Sequence, residues 1–360
     1  MIAAHNPSRH RFTGRSRIPS RRGTNTSANS RSAISSPGLS SQSASSVTIF
    51  RTLELRLGDE PRFSPGDYSP TPRDVAILMA LDSYRYLDRS QIQTLFFAGP
   101  RSSQYRLRWL VHHGLLRTWR VVVRPGRVCR ASIFLLSRRG AAALAEWLDV
   151  EPAPFVRRAE HALERRFHLV HQLEANQFFI DLAAATRHAS DCGLYHWVGE
   201  HGVENAYAEG DDRAPIPDGW GRLLTADREV LIHLEWDRGT EQPRRLRAKL
   251  AAYASYFNDR PGAGANQILF VAPTQQRERQ ILGLVRDHAD SDRESCGFWT
   301  TTTAFISAAG VIGEVWAGGG SSRRVRLQDM AGLPRSDRQI DACVGKPDWW
   351  LRRPGGGGGS

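Results

Sequence analysis

Between residues 71 and 148 the sequence reads as three short helices, a two-stranded hairpin and a fourth helix, and few folds accommodate that order. Thr71-Pro72-Arg73-Asp74 is a strong helix start. It places a hydroxyl beside the free N–H groups, a proline where no amide proton is needed and an acid in the first turn. Ile77, Leu78, Leu81 and Tyr84 then share one helical face. A second helix is expected from Asp88, with Gln91 completing a capping box and Ile92, Leu95 and Phe96 turned inward. After Ala98-Gly99-Pro100 a third helix is expected over residues 101–113, with Tyr105, Leu107, Leu110 and Val111 as its apolar positions and Gly114 ending it. Residues 118–123 and 128–136 read as strands joined by a tight turn at Arg124-Pro125-Gly126-Arg127, and Ser137 caps a helix through Leu148. Helix, helix, helix, hairpin, helix is the winged helix-turn-helix plan, expected over residues 66–150.

The non-core positions of the third helix are Arg101, Ser102, Ser103, Gln104, Arg106 and Arg108, and Arg124, Arg127 and Arg130 belong to the hairpin. In a winged helix these are the positions that meet base edges in the major groove and the phosphates beside it, so they are the expected contacts to double-stranded DNA. Charge points the same way. The net charge is +12, and residues 1–53 contain eight arginines and no acid. A cationic arm of this kind gains affinity for a polyanion by releasing counterions, although basic runs also serve solubility or targeting.

The remaining composition narrows the class. The longest apolar runs, such as residues 268–272, fall far short of the roughly 20 residues that a membrane-spanning helix requires. No signal-type apolar segment follows the N-terminal arginines, and the four cysteines lack CxxC spacing. A reducing, cytoplasmic setting without membrane contact is expected.

Beyond residue 157 the pattern changes. A long helix is expected over residues 157–189, carrying His161, Glu164, His168 and His171 along one face. Residues 194–198 and 220–224 read as strands, and residues 229–237 alternate so that Leu231, His233, Glu235 and Asp237 point one way. A helix over residues 240–257 and the apolar run at 267–272 then suggest a βαβ crossover, and residues 298–316 are expected to add edge strands. Asp218 before one strand and Glu235 and Asp237 at the end of the next bring three carboxylates together if those strands pair. Hard divalent cations such as Mg²⁺ or Mn²⁺ take such ligands, activate water and offset charge on a scissile phosphate. Of the 49 basic residues only Lys249 and Lys346 are lysines. Lys249 follows the acids on the next helix, where a compact ammonium can position an attacking water, and Tyr253 lies one turn beyond it.

These phrases together carry a resemblance. Leu81-Asp82-Ser83-Tyr84-Arg85-Tyr86-Leu87, the basic third helix ending in Gly114-Leu115-Leu116, His168 to His171, Pro217-Asp218-Gly219, Glu235-Trp236-Asp237-Arg238-Gly239-Thr240, and Lys249 with Tyr253 resemble the replication-relaxation family across about residues 72–272. That family occurs on bacterial plasmids and integrative elements. The resemblance implies a role in plasmid replication or mobilisation, with a plasmid origin or transfer origin as the DNA and replication or transfer proteins as further partners. The second half also resembles the PD-(D/E)xK restriction-endonuclease-like fold, with Asp218 and Glu235 matching its two acids. Asp237 stands where that motif has lysine, and Lys249 is the residue that would replace it.

The chain is therefore expected to be an α+β multidomain protein. A basic tail lacking fixed structure occupies 1–65 and the winged helix-turn-helix 66–150. An α/β restriction-endonuclease-like domain with a mixed sheet follows at 157–320, and a flexible tail at 321–360. The expected catalytic set is Asp218, Glu235, Asp237, Lys249, His168 and His171, with the three acids as metal ligands and Glu200 auxiliary. The alternatives are a non-catalytic DNA-binding accessory factor with a degenerate nuclease-like domain, or a regulator whose second domain would contain an apolar ligand pocket.

Overall fold

The computed structural model describes residues 54–57, 70–122, 132–164, 168–200, 202–203, 215–258, 260, 262–289, 296–318, 323–335, 338–346 and 349–351, all within one compact unit. They form an α+β protein with one antiparallel and one mixed sheet.

The first elements are β1 (Glu54–Leu57), α1 (Pro72–Tyr84), β2 (Leu87–Asp88), α2 (Arg89–Phe96), α3 (Pro100–His112), β3 (Leu116–Val122), β4 (Ser132–Leu136) and α4 (Arg138–Leu148). Local chemistry sets the helix ends. Thr71 and Asp74 form a capping box at α1, Asp88 and Gln91 do the same at α2, and the Ser137 hydroxyl accepts from the Gly140 N–H at α4. Each such cap stabilises its helix by about 1 kcal/mol. β3 and β4 pair antiparallel with Leu116 opposite Leu136, and β1 and β2 extend them into a sheet ordered β1-β3-β4-β2. The expected turn with Arg124, Arg127 and Arg130 lies outside the described residues.

The second group comprises α5 (Pro152–Glu164), α6 (Leu169–Ala185), β5 (Gly193–Gly199), β6 (Gly219–Leu224), β7 (Arg228–Trp236), α7 (Pro243–Phe257), β8 (Asn266–Ala272), α8 (Gln275–Ala289), β9 (Gly297–Thr302), α9 (Thr303–Ala309), β10 (Trp316–Gly318), β11 (Arg324–Val325) and β12 (Leu333–Pro334). Their sheet runs β11-β10-β9-β8-β7-β6-β5, with β12 pairing to β7. β7, β8 and β9 are parallel, and α7 and α8 are their crossovers. All seven residues of β8 are buried, as a strand covered on both faces requires.

α6 ties the two groups together. The Asn176 amide donates to the carbonyls of Tyr84 and Tyr86 at 3.1 and 3.0 Å, and Gln91 donates to the Leu173 carbonyl at 2.9 Å. Tyr84 stacks on Trp197 of β5, and one buried cluster includes Val75 of α1, Phe179 of α6, Leu234 of β7 and Trp316 of β10. No described helix is long and apolar enough to cross a membrane.

Four expectations are corrected. The long helix over 157–189 is two helices, α5 and α6, so His161 and Glu164 do not share a helical face with His168 and His171. Residues 54–57, placed in the unstructured tail, pair with β3. β9 lies inside the sheet between β8 and β10, because its Thr300, Thr301 and Thr302 are fully covered. Residues beyond 321, expected to trail freely, supply β11 and β12 and bury Leu327, Met330, Ile340 and Cys343. Apolar residues spaced through a glycine- and arginine-rich stretch are enough to dock it against the sheet.

Candidate active site

The site grows from the register of two strands. Gly219 pairs with Leu234, so one step along the ladder Asp218 stands opposite Glu235, and both side chains leave the same face of the sheet. The Asp218 N–H donates to the Leu234 carbonyl at 2.9 Å, and its Oδ2 accepts from the Trp236 N–H at 2.7 Å. The carboxylate is thus fixed at the carboxyl end of β7.

α6 packs on β6 through Phe179, and a side chain at Gly219 or Gly221 would meet its ring at 2.5 or 2.7 Å. This close approach brings His171 over the strand end, where its Nε2 lies 2.8 Å from Asp218 Oδ1. Burial works against the imidazolium, but the hydrogen bond and charge of Asp218, with Glu200 and Glu174 beyond, outweigh it and raise the His171 pKa above 6.5. The contribution of this pair to stability is therefore complete below pH 6.5 and fades as pH climbs through the folded-state value. Proton NMR of the His171 ring is expected to give a midpoint above 6.5 that falls in Asp218→Asn. An unchanged midpoint in that variant would break the assignment.

α7 delivers the next two groups from one face, four residues apart. Leu246, Leu250, Tyr253 and Phe257 form its buried stripe, and Lys249 lies at the stripe's edge. Lys249 Nζ donates to Glu235 Oε2 at 2.7 Å and Tyr253 Oη donates to Glu235 Oε1 at 2.6 Å, while Glu241 lies 3.6 Å from Nζ. Burial pushes the Glu235 carboxyl up to about 7, Asp218 adds to the rise, and Lys249 and Tyr253 oppose it. Burial disfavours the Lys249 ammonium too, but Glu235, Glu241 and Asp218 more than compensate and hold it above its ordinary value. The pocket thus sets a Lys249 ammonium held above its ordinary value against a Glu235 carboxyl that burial raises.

Asp237 behaves differently from the expected third ligand. Arg277 at the start of α8 grips both of its oxygens, Nε to Oδ2 at 2.6 Å and Nη2 to Oδ1 at 3.1 Å, and also donates to the Glu241 carbonyl at 2.7 Å. Asp237 therefore braces the loop between β7 and α7. Among the described residues no group of three or more His, Cys, Asp and Glu side chains is placed to hold a metal ion. The oxygens of Asp218 and Glu235 already face His171, the Trp236 N–H, the Lys249 ammonium and the Tyr253 hydroxyl.

His168, His171, Asp218, Glu235 and Lys249 line one open pocket of about 360 Å³, together with Arg238, Glu241 and Arg245. Of the expected catalytic residues, all six reach it, Asp237 with its carboxylate already engaged. Arg277 and Glu241 were not read from the sequence. The Arg277 partner lies 40 positions away in the chain, and no local pattern announces it.

The expected DNA contacts on α3 divide in two. Arg101, Ser102 and Arg108 are exposed, and Gln104 is half-buried. Ser103 is buried, its hydroxyl donating to the Pro100 carbonyl. Arg106 forms a two-bond pair with Asp74, its Nε at 2.6 Å, and lies over the Trp109 ring, so it holds α3 to α1. Tyr105, read as an apolar core position, is 71% exposed because Leu107 and Leu110 occupy the inward face. It stands among Arg101, Gln104 and Arg108.

Fold and site define an α+β protein with a charged pocket at the carboxyl end of a strand in a mixed sheet. A family profile described as Replication-relaxation matches residues 78–268, more than half of the chain, and the protein belongs to that family. Neither the curated proteins nor the solved structures contain a match.

Proposed function

We propose that the protein binds plasmid-type DNA through a winged helix-turn-helix formed by α1 to α4 with β3 and β4, and nicks it in the pocket of a restriction-endonuclease-like second half. The DNA would be an origin of replication or transfer, bound in the cytoplasm. The observation that carries this reading is the convergence of Asp218, Glu235, Lys249 and His171 in one open pocket. Clustered ionisable groups with perturbed pKa values mark sites built for chemistry at the expense of stability.

In this reading Lys249 offsets charge on the scissile phosphate and orients the attacking water. Glu235, poised near neutrality, accepts a proton from that water, and Tyr253 holds its carboxyl in place. His171, charged through Asp218, gives a proton to the leaving oxygen. Asp218 is the residue that would hold Mg²⁺ or Mn²⁺, with substrate phosphate and water as further ligands, and the bound ion would supply further charge neutralisation at the phosphate. Conversion of supercoiled plasmid to open circles tests the reading.

The binding half has its own test. Arg101→Ala with Arg108→Ala is expected to reduce the slope of log affinity against log salt by about 0.9 for each lost phosphate contact, with thermal stability unchanged. Arg106→Ala is expected to lower stability instead. An unchanged slope in the double variant would place the DNA elsewhere.

A second reading, a non-catalytic accessory factor that recruits replication or transfer proteins, draws on one observation. Both oxygens of Glu235 are already engaged, by Lys249 and Tyr253. Tight binding without any cleavage product would favour it.

A further inference from the structure

α3 leaves one stripe of its surface outside. Ser103, Leu107 and Leu110 face the core, and Arg106 ties the flank of the helix to Asp74 of α1. The outer positions repeat at intervals of four, three and four residues: Arg101, Tyr105, Arg108 and His112, all exposed. At about 3.6 residues per turn they lie within about 60° of one another around the helix axis, so they form a single row. Tyr105 is 71% exposed in the middle of it. The other large apolar side chains exposed among the described residues, Val150 and Ile216, lie in connecting segments.

The row is cationic and its arginines are uncommitted. α3 contains no acid, and among the described residues neither Arg101 nor Arg108 has an ion-pair partner, whereas Arg106 is engaged by Asp74. An open cleft of about 600 Å³ flanks the row toward β3 and β4, lined by Arg89, Arg108, Thr118 and Ser132 with the buried Leu107 and Phe134. The acid at its edge, Asp88, is occupied by the Gln91 N–H and the Ser90 hydroxyl. Cations on either side of an aromatic ring, next to a polar cleft, suit a polyanion that presents an apolar group to that ring. The major groove of duplex DNA does this: phosphates form its walls, and the 5-methyl group of thymine projects into it.

We propose that Tyr105 reads a thymine: its ring covers the 5-methyl group in the major groove, Arg101 and Arg108 hold phosphates on either side, and the cleft beside β3 and β4 receives one backbone of the duplex. This rests on α3 being the DNA-contacting helix, as proposed above, and adds to that reading a base that the helix selects. A phenol ring contributes apolar contact without charge, so Tyr105 acts on which sequence is bound and leaves the salt dependence to the arginines.

The test uses the full chain and short duplexes of randomised sequence, from which the wild type selects its preferred site. Thymines of the selected duplex are then replaced one at a time by uracil, which lacks only the 5-methyl group, and binding is followed by anisotropy. One replacement is expected to weaken the wild type and Tyr105→Phe about fourfold, the effect of uncovering one methyl-sized group. The same replacement is expected to leave Tyr105→Ala unchanged, and that variant should bind the all-thymine duplex more weakly by a similar factor with its salt slope intact. Uracil substitutions that affect wild type and Tyr105→Ala alike overturn the thymine contact, whatever the affinity of the variant. A wild type that binds duplexes but enriches no sequence also overturns it, while the DNA reading stands. A wild type that binds no duplex removes both.

Discussion

Arg277→Ala is expected to destabilise the folded protein by about 3–5 kcal/mol, because it leaves the Asp237 carboxylate without its partner in a covered position. The side chains of Arg277 and Asp237 are 10% and 4% exposed, and the pair closes the loop that leads from β7 to α7. Asp237→Ala is expected to cost a similar amount, since it strands the guanidinium instead. The double variant should cost clearly less than the sum, the signature of two groups that need each other. Urea unfolding with an unchanged m-value measures this directly. A loss below about 1 kcal/mol in both single variants would mean that water solvates Asp237. Its carboxylate would then be available as a third ligand after all.

Lys249→Ala is expected to lower the nicking rate by about 10²–10³-fold, the usual effect of removing one preorganised donor from a developing charge. DNA affinity should stay as it was if, as proposed, α1 to α4 with β3 and β4 supply most of the contacts. Lys249→Arg should rescue little. A guanidinium is larger, planar and weakly hydrated, and it cannot replace a compact ammonium 2.7 Å from Glu235 Oε2. The comparison of the two variants separates a catalytic from a packing role, since arginine would restore an ion pair that merely stabilised the fold. Equal nicking by all three proteins would remove Lys249 from the chemistry.

The features that sequence anticipated are those encoded locally. Thr71 with Asp74 and Asp88 with Gln91 are capping boxes three residues apart, and nothing distant can overrule them cheaply. Strand alternation in β7 puts Glu235 and Asp237 on one side, and pairing of β6 with β7 brings Asp218 opposite Glu235, as the register shows. The rarity of lysine singled out Lys249, which indeed reaches Glu235. What escaped was set by distance in the chain. The side-chain partners of Asp237 and Asp74 lie 40 and 32 residues away, so Asp237 was read as a ligand and Arg106 as a DNA contact.

Other misreadings have simple physical sources. The periodicity of α5 and α6 is nearly continuous, so a pattern of apolar residues does not separate the two helices. Tyr105 is apolar in part, and only packing shows that Leu107 and Leu110 take the inward face and leave it outside. The stretch beyond 321 has sparse apolar residues, yet it lies along the sheet: the Val344 N–H donates to the Leu194 carbonyl at 2.6 Å, and Cys343 fills the space that Gly193 leaves. That docking depends on a neighbour without a side chain, which composition does not reveal.

In the proposed function DNA is cut in the pocket at Asp218, Glu235 and Lys249. The most direct measurement is the appearance of open circles from supercoiled plasmid carrying the replication or transfer origin of the host element, with Mg²⁺ or Mn²⁺ present and with chelator added. Wild type is compared with Asp218→Ala, Glu235→Ala and Lys249→Ala, while binding is followed on the same DNA. Metal-dependent open circles are expected from the wild type, none from the three variants, and equal binding from all four. Tight binding with no open circles from the wild type under either metal would contradict the proposed function.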